Sequence, residues 1–181
     1  MHFLGISGSL RKQSYNTAAL QACQQRLPQG VTMSLFDIAP IPLYNDDVYQ
    51  QGFPDGVKQL REQILAADAL VIATPEYNYS FPGVLKNVID WASRPPAQPF
   101  DGKLVGLFGA AAGGMGSSRA QYQLRQVFVA LNAQVMNRPE VFISGAASKY
   151  DADGRLADAA VLENLGKMLA ALADRVRQRQ R

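Results

Sequence analysis

Phe3-Leu4-Gly5-Ile6-Ser7-Gly8-Ser9-Leu10-Arg11-Lys12-Gln13-Ser14-Tyr15-Asn16-Thr17 begins as an apolar run and turns into a polar loop. The loop leads into residues 18–27, where Leu20, Cys23 and Leu27 recur at helical spacing. A strand that hands its loop to a helix N-terminus is the opening of a βαβ unit.

The same alternation continues along the chain. Apolar runs at 3–7, 31–36, 69–74, 104–108 and 135–143 read as strands, the last interrupted by Asn137-Arg138-Pro139. Between them the spacing is helical: Val57, Leu60 and Ile64; Leu124, Val127, Phe128 and Leu131; Leu162, Leu165, Leu169, Leu172 and Val176. Strands that are apolar almost throughout need cover on both faces, which predicts an α/β three-layer sandwich around a five-stranded parallel sheet in the flavodoxin-like order. Ligands of such sheets sit outside the carboxyl ends of the strands, so the loops 8–16, 75–82 and 109–119 are where function is expected. The stretch 37–54, with Tyr44 and Tyr49, reads as irregular, and its aromatics are candidates to cap a site or meet another subunit.

Composition limits the alternatives. A chain of 181 residues fits one domain spanning 1–181, and 48% hydrophobic with 18% charged residues is ordinary soluble composition. No apolar run approaches the roughly 20 residues of a bilayer span. Residues 1–7 lack the charged start of a signal peptide, so a cytoplasmic location is expected. The single cysteine, Cys23, excludes an internal disulfide, and with His2 as the only histidine no Cys/His metal cluster is expected. Arg175, Arg177, Arg179 and Arg181 carry much of the basic excess behind the net charge of +3. Cations suit the negative end of a helix, so a solvated helix end is the preferred reading over nucleic-acid binding.

The first loop reads as an anion cradle. Backbone N–H groups converge at a helix N-terminus, and here Ser9, Ser14, Asn16 and Thr17 add neutral donors while Arg11 adds a charged fork. Capping alone requires one such residue, Ser14 or Asn16, with Arg11 and Lys12 left exposed. Gly5 and Gly8 do not fit the dinucleotide or Walker spacing, and the loop has no cysteine for a phosphatase reaction. A terminal phosphate monoester fits best. Cys23 lies on an apolar stripe and reads as a buried, inert thiol.

The second loop, Pro75-Glu76-Tyr77-Asn78-Tyr79-Ser80-Phe81-Pro82-Gly83, crowds aromatics at a strand's carboxyl end before a helix over 84–91. Tyr77, Asn78 and Tyr79 offer the apolar faces and polar rim that a flat heterocycle needs. The competing reading is an ordinary packed turn, with Lys86 pairing Asp90 at i,i+4 on the helix. Glu76 is expected to act through its backbone. Four glycines within 109–119 let a ligand lie close to the main chain of the third loop.

Gly8-Ser9-Leu10-Arg11-x-x-Ser14-x-Asn16, together with Pro75-Glu76-Tyr77-Asn78-Tyr79-Ser80-x-Pro82-Gly83-x-Leu85-Lys86-Asn87-x-Ile89-Asp90-Trp91, resembles the NADPH-dependent FMN reductases. That family includes quinone, chromate and azo-dye reductases. The resemblance implies FMN as cofactor, NADPH or NADH as co-substrate, a small-molecule electron acceptor, and a homodimer or homotetramer. It also implies that Ser9, Leu10, Arg11, Ser14, Tyr15 and Asn16 surround the phosphate. Pro75, Glu76, Tyr77, Asn78 and Tyr79 would surround the ribityl chain and ring, with Ala111 at the ring's far edge. Some relatives carry serines where this chain has Ala110, Ala111 and Ala112, which leaves only backbone contacts there. No catalytic side chain is expected, because the flavin carries the chemistry. The alternative is a flavodoxin-type electron carrier that does not turn over NAD(P)H; the acidic surface usual for such carriers is missing.

Overall fold

The computed structural model describes residues 1–179. Its sheet contains β1 (His2–Ser7), β2 (Thr32–Phe36), β3 (Ala69–Ala73), β4 (Leu104–Ala110), β5 (Gln134–Val135) and β6 (Val141–Ile143). All pairings are parallel, in the order β2-β1-β3-β4-β5, with β6 also paired to β4. This is the expected flavodoxin-like order.

The expected fifth strand is two strands. β5 pairs with Leu104 and Val105 at the start of β4, and β6 pairs with Phe108 to Ala110 at its end. Asn137-Arg138-Pro139 lies between them, and a proline there cannot donate to the ladder.

Side chains alternate across the sheet because the strand period is two. Phe3, Val71 and Phe108 point toward α1 (Tyr15–Gln24) and α6 (Ala159–Arg179), where Leu20, Leu169 and Leu172 complete one core. Leu4, Ile72 and Leu107 point toward α3 (Asp55–Ala66), α4 (Gly83–Ala92) and α5 (Ser118–Ala130), where Leu60, Trp91 and Phe128 complete the other. Helix α1 begins three residues earlier and ends three residues sooner than the spacing suggests. The Ser14 side chain caps its start by accepting from the Thr17 N–H at 3.3 Å.

Stretch 37–54 is more ordered than expected. It contains the single-turn helix α2 (Asp46–Tyr49), capped by the Asn45 side chain. Tyr44 meets Trp91 edge-on at 4.8 Å, and the Pro42 carbonyl accepts from Asn87 and Trp91. The Tyr49 hydroxyl donates to the Pro95 carbonyl. These aromatics are therefore used within the chain, while Leu43 and Val48 stay exposed.

Cys23 is fully buried, and burial pushes its thiol up to about 12. Lys86 and Asp90 form the i,i+4 pair that belonged to the competing reading of an ordinary packed turn. Arg175 and Arg177 are exposed on the last turns of α6, and Arg179 donates to the Gly102 carbonyl; Arg181 lies outside the described residues. No helix among the described residues is long and apolar enough to cross a membrane.

Candidate functional site

The loops after β1, β3 and β4 are tied together by side chains, Asn16 and Glu76 foremost. Asn16, expected to reach a phosphate, is buried with its amide bracketing Ala110: its Nδ2 donates to the Ala110 carbonyl at 3.0 Å and its Oδ1 accepts the Ala110 N–H at 2.8 Å. The amide fastens the start of α1 to the end of β4. This leaves the Asn16 main-chain N–H, in the first turn of α1, as its available donor toward a ligand. Thr17 likewise turns its hydroxyl to Ser7 at 2.8 Å.

The rest of the first loop remains open. Arg11, Lys12 and Gln13 are exposed, and the Ser9 hydroxyl accepts from the Arg11 N–H. The Arg11 guanidinium stands 4.9 Å over the Tyr15 ring, whose centroid is 4.6 Å from that of Tyr150. The Tyr150 hydroxyl donates to the Tyr15 carbonyl at 2.7 Å, and burial pushes its own phenol pKa up. Tyr150 was not singled out from the sequence, where it is an isolated aromatic in a turn. A cavity of about 370 Å³ opens beside the loop, between Ser14, Tyr15 and the turn carrying Tyr150 and Asp153. A second, of about 300 Å³, lies toward β2 against Ser9, Leu10 and Phe36.

The second loop is closed on itself. Tyr77 and Ser80 exchange both backbone hydrogen bonds at 2.9 Å, and the two residues between them have positive φ, 49° for Asn78 and 68° for Tyr79. Two such residues make a type I′ turn. Asn tolerates this region; Tyr does so only under constraint, at a cost of about 1–3 kcal/mol. Tyr77, Asn78 and Tyr79 are exposed, Pro75 is buried, and the Glu76 side chain is 6% exposed.

Glu76 caps α5. Ser117 at the cap position is left-handed and makes no side-chain cap bond. The Glu76 carboxylate takes its place by accepting from the Arg119 N–H at 3.1 Å and the Ala120 N–H at 3.3 Å, where a negative charge suits the helix dipole. The same carboxylate pairs with the Arg119 guanidinium, through Nε at 2.5 Å and through Nη2. Arg119 in turn lies 3.7 Å from the Tyr79 ring centroid. Hydrogen bonding to Glu76, aided by its charge, raises the Arg119 pKa, and both carboxylate oxygens are engaged within the protein.

In the third loop the main chain of Ala111 is engaged within the protein. Its N–H donates to the Ile143 carbonyl at 3.0 Å and its carbonyl accepts from Ala146, so its backbone is occupied by the end of β6 and the turn that follows it. Gly113 and Gly114 are exposed, with open space where a Cβ would stand. At Gly109 a Cβ would collide with the Thr74 carbonyl, which explains how closely this loop lies on the end of β3.

An open, cationic helix start beside an exposed strained turn and a small-residued loop suits a ligand with a phosphate at one end and a flat ring at the other. Residues 1–148 match the family model for NADPH-dependent FMN reductases. The chain belongs to that family.

Within the family, the chain is 58% identical to an NAD(P)H-dependent FMN reductase of Pseudomonas aeruginosa, over 93% of this chain and 91% of that protein. It is 45% identical to a quinone reductase of Escherichia coli, over 93% and 92%. A solved structure of FerB, a flavoenzyme NAD(P)H:(acceptor) oxidoreductase from Paracoccus denitrificans, superposes with a TM-score of 0.87 at 33% identity, covering 98% of this chain and 97% of that one. As a family member the protein is an oxidoreductase that works with FMN and NAD(P)H.

Proposed function

We propose that this reductase holds FMN across the loops after β1, β3 and β4 and passes electrons from NAD(P)H to quinones and similar small acceptors, in the cytoplasm. The observation that carries this reading is the placing of a cationic helix start and a strained aromatic turn at one sheet edge. FMN bound there would supply the redox chemistry between the nicotinamide and the acceptor.

The chain's own residues bind and orient. Arg11, Ser9, Ser14 and the N–H groups at the start of α1 meet the phosphate, with Leu10 and Tyr15 beside it. The main chain of Pro75, Glu76, Tyr77, Asn78 and Tyr79 lines the ribityl and ring edge, and Gly113 and Gly114 replace Ala111 at the far edge. No side chain is needed to move a proton strongly, and the Glu76 carboxylate is already engaged.

The test is anaerobic titration of the flavin-loaded protein with NADPH and NADH, followed by turnover with a panel of quinones. Bleaching of the flavin and quinone-dependent nicotinamide oxidation are expected. A flavin that NAD(P)H does not bleach would instead make the protein an electron carrier.

We also infer a homodimer or homotetramer. Leu10, Tyr77, Tyr79 and Met115 remain exposed around the site, so the nicotinamide and acceptor lack an apolar wall that a second copy supplies. With Tyr44 and Tyr49 packed within the chain, Leu43 and Val48 are the contact residues that stretch 37–54 can still offer. Sedimentation at micromolar concentration checks this; a fully active monomer refutes the shared pocket.

A further inference from the structure

We propose that the first two turns of α5 clamp the loop 75–80 in its strained shape, with Arg119 and Gln123 as positioning residues and Glu76 as the cap that fixes Arg119. The proposal rests on the reading of this loop as the flavin-ring loop, and its positioning residues, Arg119 and Gln123, lie outside that loop.

Two consecutive non-glycine residues at positive φ relax unless their surroundings hold them. Besides the two backbone bonds between Tyr77 and Ser80, the side-chain holds on this turn come from α5. Arg119 stacks on the Tyr79 ring, and Gln123 donates through Nε2 to the Tyr79 carbonyl at 3.0 Å. The Ser80 hydroxyl donates to Gln123 Oε1 at 2.6 Å, so one amide grips both sides of the turn's second half. Arg119 is itself fixed, because its planar fork meets Glu76 edge-on while its face covers Tyr79. Glu76 closes the circuit by capping the helix that carries both clamping residues. The loop thus has its shape before any ligand arrives, and binding need not order it.

A loop held only by its own turn bonds would not feel substitutions on α5. Riboflavin separates the two ends of the site, because it carries the ring without the phosphate. Arg119→Met and Gln123→Leu, both changing exposed or half-exposed side chains, are expected to weaken riboflavin and FMN by the same factor, about tenfold, as for one lost charge-assisted or side-chain bond. In the flavin-free protein the same variants should be cut faster by chymotrypsin after Tyr77 or Tyr79. Arg119→Lys keeps the charge without the fork and should fail to restore either property.

A remote core variant, Leu165→Ala, serves as the stability control. Unchanged riboflavin affinity and unchanged cleavage in both α5 variants overturn the clamp, as does equal loosening in Leu165→Ala at matched loss of melting temperature. If the wild-type protein binds neither flavin, the flavin reading of the site fails, and the cleavage comparison still decides whether α5 holds the loop.

Discussion

The loops after β1 and β3 stand at the same sheet edge and are built on opposite plans. Loop 8–14 keeps Arg11, Lys12 and Gln13 in solvent and depends on the start of α1 for its direction. Loop 75–80 buries Pro75, spends the Glu76 carboxylate on α5 and pins Tyr79 at a φ of 68°. The difference suits what we propose that each recognises. A phosphate is met by charge and by converging N–H groups from many directions, so little shape is required. A flat ring is met along one edge by main-chain groups, and their placement must be fixed beforehand.

The change expected to have the largest effect strikes both plans. Asn16→Leu leaves the Ala110 N–H and carbonyl unpaired in a buried place, and two such groups cost roughly 2–6 kcal/mol together. Chemical denaturation measures this. A loss under about 1 kcal/mol, the usual worth of a single net hydrogen bond, would mean that the two loops are joined by something other than this amide.

Arg11→Ala sharpens the contrast. Loss of a charge-assisted bond of about 1.5–3 kcal/mol should weaken FMN by roughly tenfold to a hundredfold and leave riboflavin affinity where it was. Fluorescence quenching titrations give both constants. A parallel loss for riboflavin would show that the two loops do not divide the ligand as described.

The smallest effect is expected from Cys23→Ser, on the same helix that starts at the phosphate loop but beyond its reach. FMN affinity and quinone turnover should hold, whatever happens to the melting temperature. With the thiol pushed up to about 12 and fully buried, the folded protein should also resist thiol labelling at pH 8, where the thiol is protonated. Rapid labelling, or loss of turnover with FMN still bound, would place Cys23 closer to the site than the fold allows.

What the sequence determined by itself is the sheet, the layer structure and which loops matter, because strand and helix periodicities are local and each apolar face demands cover. It also marked Ser14, Arg11 and the aromatic turn, whose chemistry is visible residue by residue. The splitting of the fifth strand was legible only as an interruption at Pro139. Tertiary structure decided which polar side chains were free to meet a ligand. Asn16 and Thr17 looked like ligand donors until α1 came down beside β4 and β1. Ala111 looked open until the end of β6 took its N–H and the turn after β6 took its carbonyl. Glu76 and Arg119 stand 43 positions apart, and nothing in either neighbourhood announces their pairing. A buried polar group must find a partner, and which partner it finds depends on distances that only the folded chain sets.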